Sequence, residues 1–599
     1  GAARDPVVAD LVRWRRLIRG DGGFAEMRRL LEAHPDWAGD ALIRREAERA
    51  MPRLSPAETL AFFDGRAPLT GAGALRLAEA LAETGRTPAA EAEIARAWRT
   101  MPLTRDERER IEAAWPSVAR RHAEARLDAM LWAGEEAQAS AVLPLVGAGW
   151  RALAEARTAL RDRRPGVDGL IARVPAGLAD DPGLAYERFV WRQRADRDAD
   201  AEALLLERSR SAESLGRPGE WARRRAVAAR AAFRQGRARD AYRMASAHFT
   251  TPADGYAHAD LEWLSGWIAL RGLGDPAAAE AHFRRFRAAV ETPISVGRAG
   301  YWLGRALEAQ GKDARAAYAE AAAHPTSFYG QLAAERIGRD VRSALAVRDG
   351  ARDWSAAPLH GGPTERAILL MAAAGEGARA RWFLTEIAER YADGDALAAT
   401  GALALAVGRP DAAIRIGKTA AAKGHVIMDI YYPVTELATL TGPIEPALAK
   451  AVARQESELN AEAVSPAGAR GVMQLMPATA EAMARDLGLA YNRGRLTQDP
   501  VYNARLGMGY MARMLERYDG ATILAAAAYN AGPHRVDRWL ASNGDPRRGA
   551  DPIDWIESIP FSETRNYVQR VMEGLHVYRA RLDAPPARSV TAALTRLGG

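Results

Sequence analysis

Helical periodicity dominates the sequence from residue 7 to about residue 430. This stretch is rich in Ala, Leu, Glu and Arg, which favour helices, and short Gly, Pro or Asp breaks divide it. Apolar and polar residues rarely alternate, so the pattern predicts an all-α region and excludes a large β-sheet there. Because a single core seldom grows beyond about 250 to 300 residues, the 599-residue chain should form at least two domains.

A weak repeat lies between residues 221 and 318. The segments "FRQGRARDAY", "LRGLGDPAAAEAHF" and "EAQGKDARAAY" place Gly236, Gly274 and Gly311 at spacings of 38 and 37 residues. Each glycine follows one helical pattern and precedes another, which is typical of a solenoid of stacked helical hairpins. Aromatic residues near the repeat are expected to pack between hairpins rather than to stack on sugars. They are Trp263, Trp267, Tyr301, Trp302, Tyr318, Phe328 and Tyr329.

Two changes of pattern divide the chain into three predicted domains. Helical periodicity weakens and turn residues accumulate at 339–363, and "GHVIMDIYYPV" at 424–434 introduces β-branched and aromatic residues. We therefore expect a helical solenoid at residues 1–345, a small helical linker domain at 346–430 and a third domain at 431–599.

Composition argues against several classes of function. The chain has no Cys, which excludes disulfides and thiolate chemistry, and its ten His residues form no HExxH or comparable pair, so we expect no metal and no other cofactor. The net charge of +7 is spread over helices, without a basic block interleaved with aromatics. This argues against nucleic-acid binding and leaves a weak attraction to acidic polysaccharide open.

The sequence contains no apolar run of about 18 residues, so no membrane span is expected. The first residues, "GAARDPVVADLVRW", lack the basic, apolar and small-residue order of a signal peptide. We interpret the chain as a mature form whose leader has been removed.

A carboxylate lies beside an apolar helical face in "TGPIEPALAKAVARQESELN". Leu448, Val452 and Leu459 share one face with Gln455, and Glu456 is its immediate neighbour. Burial of a carboxyl without a partner favours the protonated form, which makes it a candidate general acid.

The same position allows a plainer role for Glu456. A partly buried ion pair with Arg454, or with an arginine from elsewhere in the fold, explains the residue equally well and is the commoner case. Glu458 points about 200° around the helix from Glu456, so it should not share the site and is predicted to be ordinary solvated surface.

The loop after this helix, in "AEAVSPAGARGVMQLMP", combines tight turns with a mixed surface. Ser465 and Gly468 favour a turn, and Gly471 permits close backbone approach. The amide of Gln474 could hydrogen-bond to a sugar, and the flexible apolar side chain of Met476 could line the groove that holds it. A small hydrophobic plug with one exposed Gln is the alternative.

Two further segments carry candidate residues. The Ala-rich helix in "TILAAAAYNAGPHRV" ends at Tyr529 and Asn530, where the chain turns. In "IPFSETRNYV", Ser562 is a plausible N-cap and Glu563 lies in the first turn, where the helix dipole alone accounts for its charge.

Taken in order, "ARQES", "SPAGARGVMQLMP", "AAYNAGPHRV" and "IPFSETRNYV" resemble the successive motifs of family 1 soluble lytic transglycosylases, large periplasmic enzymes that cleave murein. "YWLGRALEAQGKDARAAY" and "TSFYGQLAAERIG" resemble the end of their helical superhelix. The resemblance implies a mostly α fold: an N-terminal α-superhelix of helical hairpins, a helical linker and a C-terminal lysozyme-like (goose-type) α+β catalytic domain.

The resemblance also implies a role for each motif residue. Glu456 corresponds to a single catalytic acid and base that cleaves the β-1,4 bond between N-acetylmuramic acid and N-acetylglucosamine and forms a 1,6-anhydro end. The positions that line or support the sugar groove are Ser465, Gln474, Met476, Tyr529, Asn530 and Glu563. Peptidoglycan strands would be the partner and the periplasm the compartment, with other cell-wall enzymes left open as partners.

Two other functions remain open on the sequence. A lysozyme-type hydrolase on the same fold would use water in place of the muramoyl C6 hydroxyl. A helical scaffold that binds murein or partner proteins would use the last domain for recognition only.

Overall fold

The computed structural model of the protein describes residues 5–348, 353–585 and 589–596. Residues 349–352, which are part of the predicted boundary at 339–363, lie outside them, and so do residues 1–4. In the described residues the regular secondary structure is almost entirely helical. Its β structure consists of two isolated antiparallel bridges, Val464 with Arg470 and Arg470 with Leu475. The predicted fold class, mostly α, is confirmed.

The chain divides into two compact units, Gly1–Trp221 and Ala222–Gly599. None of the helices in the described residues combines the length and the apolar character that crossing a membrane requires. The helices of the first unit are α1 (Pro6–Leu17), α2 (Phe24–Ala33), α3 (Asp40–Arg49), α4 (Pro56–Phe63), α5 (Gly71–Glu83), α6 (Thr87–Thr100), α7 (Arg105–Ala114), α8 (Pro116–Arg121), α9 (Ala123–Ala133), α10 (Glu136–Val142), α11 (Ala148–Arg161), α12 (Val167–Ala172), α13 (Pro182–Arg194), α14 (Asp198–Arg208) and α15 (Ala212–Leu215).

The second unit begins within α16 and contains the candidate site. Its helices are α16 (Pro218–Arg234), α17 (Ala238–Ser246), α18 (Tyr256–Ile268), α19 (Pro276–Ala288), α20 (Pro293–Glu308), α21 (Arg315–Ala322), α22 (Phe328–Arg336), α23 (Arg342–Leu345), α24 (Pro363–Ala373), α25 (Gly377–Arg390), α26 (Gly394–Ala406), α27 (Pro410–Ala422), α28 (Met428–Tyr431), α29 (Pro446–Ser457), α30 (Pro477–Asp486), α31 (Arg495–Gln498), α32 (Pro500–Arg517), α33 (Thr522–Ala531), α34 (Pro533–Asn543), α35 (Pro552–Ser558), α36 (Ser562–Arg581) and α37 (Val590–Thr595).

The helical repeat predicted in this unit is confirmed. Gly236, Gly274 and Gly311 each end one helical segment and precede the next, with left-handed φ values of +79°, +63° and +69°. Consecutive helices from α18 to α22 pack on one another. All seven aromatic residues predicted to lie between hairpins are at most 2% exposed, so they form core and offer no surface to a sugar.

Helix α29 lies at the centre of the region that carries the candidate site. Every residue from Ala447 to Arg454 is buried, so the apolar face inferred from helical spacing is real but is not the only buried face. Helix α36 packs against it, and a Cβ atom at Gly574 would lie 3.2 Å from the Cβ atom of Ala451. The glycine therefore lets the two helices approach closely.

The loop between α29 and α30 is held by one buried side chain, Asn503 of α32. Its Nδ2 donates to the carbonyl oxygens of Arg470 (2.9 Å) and Leu496 (3.1 Å), and its Oδ1 accepts from the N–H of Met473 (2.9 Å). Gly471 lies against this amide, which confirms the predicted close backbone approach.

We expect Gly471→Ala to destabilise the protein more than Gly468→Ala. Both glycines have left-handed φ, +77° and +94°, a conformation that costs an alanine roughly 1–2 kcal/mol. At Gly471 a Cβ would also lie 2.0 Å from the Leu496 carbonyl oxygen, whereas at Gly468 it would meet no described atom within 4 Å. The clash should add about 1–3 kcal/mol.

Thermal unfolding of the two variants measures this difference. Equal losses of melting temperature would show that the space around Gly471 is not restrictive.

Candidate active site

Glu456 lies in the last turn of α29, half-buried, and bonds to a residue of α36. The Tyr567 hydroxyl donates to Glu456 Oε1 at 2.8 Å. Arg454, the ion-pair partner considered from the sequence, points elsewhere: its Nε donates to the Tyr431 carbonyl (3.0 Å) and its guanidinium lies 3.9 Å from the Tyr432 ring. Glu456 has no ion pair with any described residue, so the ion-pair alternative is wrong.

Burial raises the pKa of the Glu456 carboxyl to about 7. The Tyr567 hydrogen bond opposes this rise because it stabilises the ionised form, and the nearby charge of Glu563 adds to it. Near neutral pH the side chain therefore exists in both protonation states. Such a group can both donate and accept a proton.

The prediction that Glu458 is ordinary solvated surface is wrong. Its side chain is 16% exposed and accepts from Lys418 Nζ at 2.6 Å and from Arg415 Nη2 at 3.0 Å, and Arg381 lies 3.6 Å away. These cations come from α25 and α27, which helical spacing around Glu458 cannot reveal. The cluster attaches the end of α29 to the helices that precede it.

The loop after α29 is attached to the helix end. The Ser457 hydroxyl donates to the Val472 carbonyl at 2.8 Å. Ser465 stands at the predicted turn, where its Oγ accepts from the N–H of Ala469 at 3.0 Å.

Gln474 and Met476 differ in where their side chains lie: the first bonds within the loop and the second is exposed to solvent. Gln474 has a φ of +46°, and its Nε2 donates to the carbonyls of Gly471 (2.9 Å) and Ala463 (3.1 Å). It therefore shapes the loop from within. Met476 is 44% exposed, whereas Met473 and Leu475 are buried, so the plug alternative describes these two neighbours and not Met476.

Tyr529 supports the same loop from α33. Its hydroxyl donates to the Met473 carbonyl at 2.8 Å, and its ring packs 5.2 Å from that of Tyr510. Asn530 bonds to α36, because its Oδ1 accepts from the Thr564 hydroxyl at 2.7 Å. The two residues thus connect α33 to the loop and to α36.

Glu563 is exposed in the first turn of α36, as predicted. The assignment of Ser562 as N-cap is wrong by one residue: Phe561 occupies that position without a capping side chain, and Ser562 is the first helical residue. Helix ends depend on local packing, and a shift of this size is common.

Sequence reasoning missed Tyr567, Thr564 and Asn503. Tyr567 and Thr564 are three residues apart in "IPFSETRNYV" and so share a helical face, which was a usable signal. Nothing in the sequence around Asn503 distinguishes it from a surface asparagine.

One group in the described residues could hold a metal ion: His248, His258 and Glu262 each offer an atom within 4.8 Å of the others. Hydrogen bonds argue against that use. His248 Nδ1 accepts from the N–H of Thr250 at 3.0 Å, so the neutral ring carries its proton on Nε2, which faces Glu262 Oε1 at 3.4 Å. Arg285 also donates to Glu262 at 2.8 Å. The contacts form a buried polar network without a free lone pair on His248.

Comparison with known proteins places Glu456 and the loop after it in a named domain, whereas Glu563, Thr564 and Tyr567 of α36 lie beyond the matched residues. Residues 434–550 match the family described as Transglycosylase SLT domain. A soluble lytic murein transglycosylase of Escherichia coli (strain K12) is 39% identical over 145 residues, which are 24% of this chain and 22% of that protein. The protein of the same description from Salmonella typhimurium is 40% identical over 137 residues, 23% of this chain and 21% of that protein. The match spans about a fifth of the length of these curated relatives.

Solved structures resemble the chain over nearly its whole length. Lytic transglycosylase Slt of Pseudomonas aeruginosa, determined as an inactive Glu-to-Gln variant, has a TM-score of 0.73 at 23% identity and covers 98% of this chain and 94% of that one. The 70-kDa soluble lytic transglycosylase of Escherichia coli has a TM-score of 0.58 at 19% identity, over 99% and 94% of the two chains. This likeness shows that the chain has the predicted fold of these enzymes.

We expect Tyr567→Phe to raise the pKa of Glu456 further, by about one pH unit, since a hydrogen bond to the ionised carboxylate is lost. Infrared titration measures this through the carboxyl C=O band that is absent from Glu456→Gln. Tyr510→Phe is the matched control, because Tyr510 packs on Tyr529, whereas the hydrogen bond to Glu456 comes from Tyr567. A pKa that falls or stays constant in Tyr567→Phe would contradict the assigned role of the hydroxyl.

Proposed function

We propose that this chain, which carries a transglycosylase SLT domain at residues 434–550, is a lytic transglycosylase of peptidoglycan. The observation that carries the proposal is Glu456: a carboxyl without an ion pair in the described residues, with a pKa of about 7, inside the matched segment. The bond cleaved would be the β-1,4 bond between N-acetylmuramic acid and N-acetylglucosamine.

In the proposed reaction Glu456 acts twice. The protonated carboxyl gives its proton to the glycosidic oxygen, and the bond from that oxygen to the muramoyl C1 breaks. The carboxylate then takes the proton of the muramoyl C6 hydroxyl, whose oxygen bonds to C1 and closes a 1,6-anhydro ring. Glu456 is therefore protonated again at the end of the reaction, and no water is consumed. The nucleophile belongs to the substrate, so a second carboxylate in contact with C1 is not required.

The residues around Glu456 would divide into two groups. Met476 and Glu563 are exposed and would contact the sugar directly. Gln474, Tyr529, Asn530 and Ser465 would act by holding the loop and the helices that shape the groove, because their observed hydrogen bonds go to protein atoms.

The wider assignments follow from the same proposal. Peptidoglycan glycan strands would be the binding partner and the periplasm the compartment, and other cell-wall enzymes stay open as partners. The division at residues 345 and 430 stays a prediction. The mutual packing of α24, α25, α26 and α27 supports a separate linker domain between these limits.

Digestion of purified murein tests the reaction. The wild type should release muropeptides whose terminal muramic acid is one water lighter than a hydrolysis product, and Glu456→Gln should lower the rate at least about 100-fold. Glu481→Gln, an exposed glutamate of α30, is the matched control and should retain the wild-type rate.

Each other result selects an alternative. Hydrated muramic acid ends would indicate a lysozyme-type hydrolase. An inactive wild type would favour a binding scaffold, and an active Glu456→Gln would show that another group supplies the proton.

The pH dependence of kcat should follow the protonated form of Glu456. Because burial places its pKa at about 7, the rate should decline as pH rises through 7 and then fall about tenfold per pH unit. In Tyr567→Phe this decline should move to higher pH. A rate that rises from pH 6 to pH 8 would contradict the role of Glu456 as acid.

A further inference from the structure

The carboxylate of Glu557 lies outside the candidate site and has no exposed surface. Arg298 Nη2 donates to both of its oxygens (2.8 and 2.9 Å), the Tyr329 hydroxyl donates to Oε1, and Gln569 Nε2 donates to Oε1 at 2.9 Å. Arg230 donates to the backbone carbonyl of the same residue at 2.7 Å. A buried charge is tolerated only with such compensation, so these partners are held in fixed positions.

Glu557 joins the helical hairpins to the start of α36. It lies in the last turn of α35, and three residues, 559–561, separate α35 from α36. Gln569 belongs to α36, whereas Arg298 and Tyr329 belong to α20 and α22. One carboxylate thus binds the two sides of the α35–α36 turn to the preceding hairpins.

A second contact fixes α36 to the same hairpins further along. Glu573 accepts from the N–H of Phe328, the first residue of α22, at 2.8 Å. Its carbonyl accepts from Gln331 Nε2 at 3.2 Å. Gln569 and Glu573 are four residues apart and share one face of α36.

The opposite face of α36 meets the candidate site. Thr564 and Tyr567, three residues apart, bond to Asn530 and to Glu456. Gln569 lies about 200° around the helix from Tyr567. Since every residue from Tyr567 to Leu575 is buried and close-packed, displacement of one face of the helix displaces the other.

We infer that Tyr329 and Glu557 are positioning residues for proton transfer at Glu456, acting through α36 and Tyr567. Neither contacts Glu456, and neither is reached by substrate, because both are buried. Their hydrogen bonds hold α36 at the position where the Tyr567 hydroxyl meets the acid. The kinetic test of this inference rests on the proposed function, because it needs an active enzyme. The infrared test needs only the pKa of Glu456.

A double-mutant cycle of Tyr329→Phe and Tyr567→Phe tests the coupling. Tyr329→Phe should lower kcat about three- to tenfold with an unchanged KM, and should add less than about a twofold loss in the Tyr567→Phe background. Its effect on the pH dependence of kcat should have the same sign as that of Tyr567→Phe.

Tyr301→Phe is the matched control. Tyr301 is equally buried, and its hydroxyl accepts from Arg305 within α20 and does not bond to α35 or α36. Tyr301→Phe should lower the melting temperature about as much as Tyr329→Phe does, but it should leave kcat and the pH dependence of kcat unchanged. Additive losses in the cycle, or equal changes in Tyr301→Phe, would overturn the inference.

Two further measurements keep the test decisive. If Tyr329→Phe does not fold, Gln569→Met removes the α36 side of the same cluster and enters the cycle in its place. If the wild type cleaves no murein, the proposed function fails. The infrared pKa of Glu456 then decides the inference: a change in Tyr329→Phe but not in Tyr301→Phe supports it, and no change overturns it.

Discussion

The packing of α36 against α29 determines both the position and the protonation of Glu456. Burial of α29 on all sides up to Arg454 leaves Glu456, in the last turn of the helix, only partly in contact with water, and the close approach at Gly574 and Ala451 brings Tyr567 within hydrogen-bond distance of the acid. A carboxyl in these surroundings holds its proton to higher pH than it would in water, because desolvation outweighs one hydrogen bond. Helix packing therefore sets the position and the pKa of Glu456, and the polar residues of the groove modify a site that packing has already formed.

The same pair of helices organises the elements around the acid. The loop after α29 is tied to the helix end by Ser457 and to α32 by Asn503. Tyr529 connects that loop to α33, and Asn530 connects α33 to α36. The bonds of Asn503, Tyr529 and Asn530 span 30, 56 and 34 positions of sequence, so the groove is a product of the tertiary fold.

Periodicity predicted the helices, the stacking of hairpins and the place of Glu456 beside an apolar helical face, because these depend on local residue spacing. The close approach at Gly471 was also predictable, since only glycine tolerates it. The bond between Glu456 and Tyr567 was not, because the two residues are 111 positions apart and spacing does not show which helical faces meet. Glu458 was misjudged for the same reason: its partners lie 40 and 43 positions upstream.

The Glu557 cluster bears on how the chain can be divided. A fragment that begins at residue 431 would contain Glu557 and Gln569 but would lack Arg298, Arg230 and Tyr329, and Glu573 would lose its bonds to α22. A carboxylate that is fully buried in the chain would then face solvent on the side of α36 away from the acid. Residues 431–599 therefore do not bury all of their own polar interior, because the preceding hairpins cover part of it.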